Sequence, residues 1–141
     1  MKSQMLIVAG LCLAIGLAVV PANAQAGSVQ ANLPFRFAVL GMIFPAGNYK
    51  MIAGSHQVNI EDGRGKIVAM VLANPVSGRS AGKNGQVIFH CYRDSCFLAE
   101  VWSPTQENGL RLPTSGAEAN LAKAERGKYF AVLGVEPLKR P

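Results

Sequence analysis

The chain has 141 residues, half of them apolar, and 14 Lys and Arg against 8 Asp and Glu give a net charge of +6. That length holds one domain with a modest core. The cations form no dense cluster and are not interleaved with aromatics on one face, which argues against a nucleic-acid partner and leaves scattered solubilising charge as the simpler reading.

The N-terminus sets an address. Lys2 precedes the unbroken apolar run Met5–Val20, and Pro21-Ala22-Asn23-Ala24 ends in a small-x-small site. Residues 1–24 therefore read as a secretory signal peptide cut after Ala24. The run is shorter than the ~20 residues of a spanning helix, so no membrane span is expected after cleavage. Cys12 does not fit a lipoprotein site, because Leu11 stands where a small residue belongs. The expected mature chain is exported, periplasmic or extracellular. It carries a charge of +5, since Lys2 alone of the charged residues is lost.

Residues 25–32 are small and polar, and read as a mobile leader running into a first edge strand. The domain proper is expected over 33–135. Leu33–Val39 alternates, with Phe35, Phe37 and Val39 on one face, so one half-buried strand is predicted. Gly41 allows a turn before Met42-Ile43-Phe44, and Pro45-Ala46-Gly47 has the turn order that launches Asn48–Ile52. Gly54-Ser55 ends that strand. A hairpin follows, Val58–Glu61 meeting Lys66–Leu72 across Asp62-Gly63-Arg64-Gly65. Its second arm is almost continuously apolar and is expected to be a central strand. Asn74–Gly85 reads as a long flexible loop.

Gln86–Pro104 is the strongest pattern in the chain, two β-prone arms about a polar Arg93-Asp94 turn. Tyr92 then faces Ser95, Cys91 faces Cys96, Phe89 faces Leu98 and Ile88 faces Ala99. One face would carry Val87, Phe89, Cys91, Cys96, Leu98 and Glu100; the other Ile88, His90, Tyr92, Phe97, Ala99 and Val101. Cross-strand partners lie close enough for a Cys91–Cys96 disulfide, and these two cysteines remain after signal removal in an oxidising compartment. Ser115 and Glu118 have capping-box spacing ahead of an Ala-rich stretch, giving a helix over about 115–126 stopped by Gly127. Ala117 and Leu121 form its narrow apolar stripe, with Glu118, Lys123 and Glu125 in solvent. Tyr129–Val135 reads as a last strand and 136–141 as a basic tail. The fold class is all-β and mainly antiparallel, a small sandwich or partly open barrel with one short C-terminal helix.

Motifs for catalysis are weak. Gly78-Arg79-Ser80-Ala81-Gly82 matches G-x-S-x-G, but a nucleophile elbow needs a strand before it and a helix after it. Ser80–Lys83 matches S-x-x-K without the companion motifs, and a phosphate loop fails on spacing and on Asn84. His90, Cys91, Asp94 and Cys96 are the best metal cluster on offer, yet His90 and Cys91 point to opposite faces. With the cysteines bridged, no metal and no cofactor are expected. Glu61-Asp62 is a turn pair. Glu100, near Trp102, is the one acid on an apolar face, and Arg36 or Arg111 is its expected partner. Tyr49, His90, Tyr92 and Trp102 are the candidate binding surface, the three larger aromatics forming a sugar platform if exposed.

The segment Phe89–Pro104, Phe-His-Cys-Tyr-Arg-Asp-Ser-Cys-Phe-Leu-Ala-Glu-Val-Trp-Ser-Pro, resembles a recurring element of small exported bacterial proteins of unassigned function. The turn at Pro45–Tyr49 and the helix in Leu112–Ala122 resemble theirs too, whereas Gly116 and the cysteine pair depart from the pattern. The resemblance implies export and fold, with no activity attached. The reading is thus a non-catalytic, exported β-domain of the bacterial envelope or its exterior that contacts an envelope protein, a glycan or an apolar ligand. The alternatives are a hydrolase or metal-dependent enzyme using His90, Glu100 and His56, and a small carrier whose cavity is lined by Phe35, Phe37 and Phe97. Opposite strand parity places His90 and Glu100 on different faces.

Overall fold

The computed structural model describes residues 27–136; the expected signal segment, the first two residues of the expected leader and most of the expected basic tail lie outside the described residues. In chain order the elements are β1 (Gly27–Leu33), β2 (Phe37–Val39), β3 (Met42–Phe44), β4 (Gly47–Ala53), β5 (Gln57–Glu61) and β6 (Ile67–Leu72). They continue with β7 (Asn74–Val76), β8 (Gln86–Tyr92), β9 (Ser95–Trp102), β10 (Gly109–Arg111), α1 (Gly116–Ala124) and β11 (Lys128–Leu133). Apart from a single parallel bridge between β2 and β9, the strands pair antiparallel.

Two sheets face each other. One runs β1-β4-β5-β6; the other runs β11-β8-β9-β10-β7, with the β2–β3 hairpin attached to β9. Period-two alternation puts Val29, Ala31 and Leu33 of β1, Tyr49, Met51 and Ala53 of β4, Val58 and Ile60 of β5, and Ala69 and Val71 of β6 on the inner face of the first sheet. Val87, Phe89, Cys91, Leu98, Val101 and Leu110 answer from the second. The sheets meet at two corners. Buried Ala73 joins β6 to β7, and beyond β11 the Val135 N–H donates to the Gln30 carbonyl of β1 at 2.7 Å. The barrel stays unclosed, giving the expected sandwich with one helix.

Several expectations are corrected. Residues 27–32 are no leader, because β1 is a full strand with Val29 wholly buried and Gly27–Leu33 in register with β4. The domain therefore begins by Gly27. Leu33–Val39 breaks at Pro34–Arg36 into β1 and β2, which belong to different sheets. Proline cannot donate to a ladder, and a chain changing sheets needs such a bend. The arm Ile67–Leu72 is an edge strand, not a central one; its outward Met70 and Leu72 are exposed. Asn74–Val76 is not loop but pairs with β10.

The β8–β9 hairpin is central as expected, and the disulfide Cys91–Cys96 closes it. Arg93 at the turn takes the left-handed region, φ 51°. The predicted pairings hold from Tyr92–Ser95 down to Phe89–Leu98, then fail: Ile88 faces Glu100, because the register shifts between Ile88 and Phe89 and leaves Ala99 over. This bulge reverses the parity of the rest of β9. Leu98 and Val101 can then both face the inner core, and Glu100 and Trp102 turn outward. The outward face is itself covered. Ile88, Tyr92, Phe97, Glu100 and Trp102 are buried yet stand outside the inter-sheet cluster.

Candidate functional site

The outward face of β8 and β9 holds two polar knots and one apolar groove. In the first knot, His90 Nδ1, Tyr92 Oη and Glu118 Oε2 close a triangle of 3.0, 3.1 and 3.0 Å. The carboxylate accepts from the phenol and the imidazole, and Tyr129 of β11 stacks flat on His90 at 4.2 Å between ring centroids. Gly127 must be glycine here, since a Cβ would run into His90 and Tyr92. Burial first, then the hydrogen bond to Glu118 and the negative charge of Glu118, push the Tyr92 phenol up to about 12, with Tyr129 the smallest contributor.

Glu118 was expected in solvent but is 7% exposed, the one buried residue of α1. The capping contact from the Glu118 N–H to Ser115 Oγ, 3.2 Å, exists as the sequence implies. The carboxylate does not reach back to the cap; it reaches the sheet. Spacing alone reveals the cap, while the sheet partner depends on how α1 crosses β8.

The second knot is built on Glu100, 6% exposed. It accepts from Trp102 Nε1 at 2.8 Å and from Arg111 Nη2 at 3.3 Å, with Arg79 Nε 3.7 Å away. Of the two expected partners Arg111 is present and Arg36 is not; Arg79 arrives from the 77–85 loop, which also accepts from Gln86 Nε2 through the Ser80 carbonyl. The indole lies over Gly109, where any Cβ would strike the ring. So His90 and Glu100 do share an outward face, because of the bulge, yet each has its own partners. His56 is exposed in the β4–β5 turn of the other sheet.

The expected aromatic surface is corrected as well. Tyr49, Tyr92 and Trp102 are buried, and Tyr49 Oη donates to the Pro45 carbonyl at 2.7 Å. Burial and, secondarily, the Asp62 charge raise the Tyr49 phenol above its ordinary value. These rings pack; His90 alone of the four is half-buried. Ser80 is exposed in a loop with neither the strand nor the helix of an elbow around it. Among the described residues no group of three His, Cys, Asp or Glu is placed to hold a metal ion, and no helix is long and apolar enough to cross a membrane.

The groove went unnoticed in the sequence. It is a concavity of about 240 Å³ between the β2–β3 hairpin, the start of β9 and α1. β2 and β9 contribute Phe37, Ala38 and Phe97 to its lining, the β2–β3 hairpin Gly41 and Ile43, and α1 Ala117 and Leu121, with Arg36, Asp94, Ser95 and Cys96 completing it; the Phe37 ring itself faces the inter-sheet core. Two of the three expected cavity residues, Phe37 and Phe97, are here, but the space is a surface groove and not a barrel interior. Phe35 is elsewhere, edge-on to Phe89 at 5.0 Å. Ile43 is 70% exposed, and Leu40 and Met42 beside it are also open to solvent. Leu40 holds φ 48° at the hairpin tip, a conformation costing a non-glycine residue about 1 kcal/mol.

Comparison of the chain with protein-family models, with curated proteins and with solved structures returns no match.

Proposed function

We propose that this chain is an exported, non-catalytic β-domain of the bacterial envelope or its exterior that works by binding, with the groove between the β2–β3 hairpin and α1 as its contact site. One observation carries the reading: Ile43, 70% exposed, lines a concavity together with Ala38, Phe97, Ala117 and Leu121, and the exposed Leu40 and Met42 adjoin it along the chain. Contiguous apolar surface on a small domain marks a place where something binds. The strained tip at Leu40 adds to it, since strain of this kind concentrates at functional sites.

Export is supported by the N-terminal sequence and by a disulfide between the two cysteines that survive signal removal. The resemblance to small exported proteins points the same way. The enzyme reading has less behind it. His90 is tied to Glu118 and Tyr92 beneath a stacked ring, and Glu100 to an indole and two guanidiniums. In the free protein both groups are engaged by internal partners.

The test is capture from envelope extract by the mature chain, run beside Ile43→Asp. A defined partner or lipid fraction recovered by the parent and lost with the variant supports the reading. Turnover of any substrate abolished by His90→Ala overturns it.

A further inference from the structure

Strand register draws a line across the outward face. Tyr129 pairs with His90, His90 with Phe97, Phe97 with Ala38, and Ala38 with Ile43, so these five residues form one lateral row over β11, β8, β9, β2 and β3. Lateral partners share a face. The row is polar at the His90 end, where Tyr92 also points, and apolar from Phe97 outward into the groove. At ~4.8 Å per strand, the span from His90 to Ile43 is about 14 Å.

Helix α1 lies over this row, and its hold is unusual. It has nine residues, below the length at which an isolated helix is stable in water. It buries one side chain, the Glu118 carboxylate, on the donors of His90 and Tyr92. Its end is clipped by Arg93 Nε to Glu125 Oε1 at 2.8 Å, an exposed pair worth little. Helices usually dock by an apolar stripe. This one docks through a carboxylate, while its Ala117 and Leu121 only edge the groove.

From this we infer that Glu118 is a built-in stand-in for the head of a ligand, and that the row is a site for a free single-chain carboxylate amphiphile. The ligand's carboxylate takes the His90 and Tyr92 donors in place of Glu118, and its chain runs over Phe97 and Ala38 to Ile43. Helix α1 yields as it enters, a lid held by competition for the same two hydrogen bonds. A population shift of this kind needs only that the ligand prefer the open lid. The inference rests on the groove being the contact site.

The experiment is calorimetric titration of the mature chain with laurate, whose extended length suits the row, kept below self-association. Binding is expected, weakened at least tenfold by Ile43→Asp and strengthened several-fold by Glu118→Ala; adding Tyr92→Phe to the Glu118 variant, where the lid no longer uses that donor, should weaken it at least tenfold. Amide hydrogen exchange across 116–124 should speed up at least tenfold with laurate bound. If Glu118→Ala proves poorly folded by circular dichroism, Glu118→Gln takes its place beside the exchange measurement. No laurate binding, binding that leaves exchange in α1 unchanged, or binding to the Glu118 variant indifferent to Tyr92→Phe, overturns the inference. Dodecanol binding that Ile43→Asp removes, without laurate binding, leaves the groove standing and sinks the head-group role. Adsorption to anionic vesicles without uptake of free laurate also sinks it.

Discussion

Replacing Glu100 by Ala tests whether the outward knot stabilises the fold. The substitution leaves the Trp102 N–H buried beside no acceptor, and a buried donor without a partner costs about 1–3 kcal/mol. Arg111 and Arg79 are half exposed, so losing their ion pairs adds at most ~1 kcal/mol. Glu100→Ala should therefore cost about 2–3 kcal/mol. Trp102→Phe removes the donor together with part of the ring, and costs about 1–2 kcal/mol for the space it vacates. In the double variant neither partner remains to be left unsatisfied. Its loss should fall short of the sum of the single losses by about 1–2 kcal/mol. The assay is urea unfolding followed by far-ultraviolet circular dichroism, which does not depend on the tryptophan. Losses that add within ~0.3 kcal/mol would refute the coupling and return Glu100 to the role of a surface acid.

Three further outcomes follow from the same geometry. Leu40→Gly should raise stability by up to about 1 kcal/mol by relieving φ 48°, read as a higher urea midpoint; an unchanged midpoint contradicts the strain. Reducing Cys91–Cys96 should lower stability by about 2 kcal/mol, the entropic value for so short a loop, and mass spectrometry of the unreduced peptide should lack two hydrogens. Tyr92 keeps its proton in the folded state beyond the ordinary phenol range, its pKa pushed up to about 12. Its contribution to stability is then complete below about pH 10 and fades as pH rises toward 12. Absorbance titration should show a late tyrosinate phase that Tyr92→Phe removes; an early phase lost with that variant contradicts the Glu118 contact.

The sequence was most informative where physics is local. The pairings from Tyr92–Ser95 to Phe89–Leu98, the Arg93-Asp94 turn and the Ser115 cap are read from neighbours along the chain, and each stands as expected. The Ala99 bulge is different. It satisfies Leu98 and Val101, which must both reach the inner core, and gives the Ala99 carbonyl to the Leu112 N–H at 2.9 Å. Neither demand can be seen from β9 alone, and so the faces of Glu100 and Val101 were inverted. Glu118 was misplaced for a related reason: a carboxylate on a short Ala-rich helix looks solvated until the sheet beneath supplies two donors. The groove needs three segments far apart in sequence, Arg36–Ile43, Asp94–Phe97 and the Ala117–Leu121 face of α1, and no single pattern announces it.

Most direct for the binding account is site-specific photo-crosslinking in envelope extract, with a benzophenone side chain placed at position 43 or at position 70. Ile43 and Met70 are similarly open, at 70% and 63%, but Ile43 walls the groove and Met70 lies on the other sheet. The account predicts a discrete adduct from position 43 and none from position 70. Adducts of equal yield from both positions, or from neither, would contradict it.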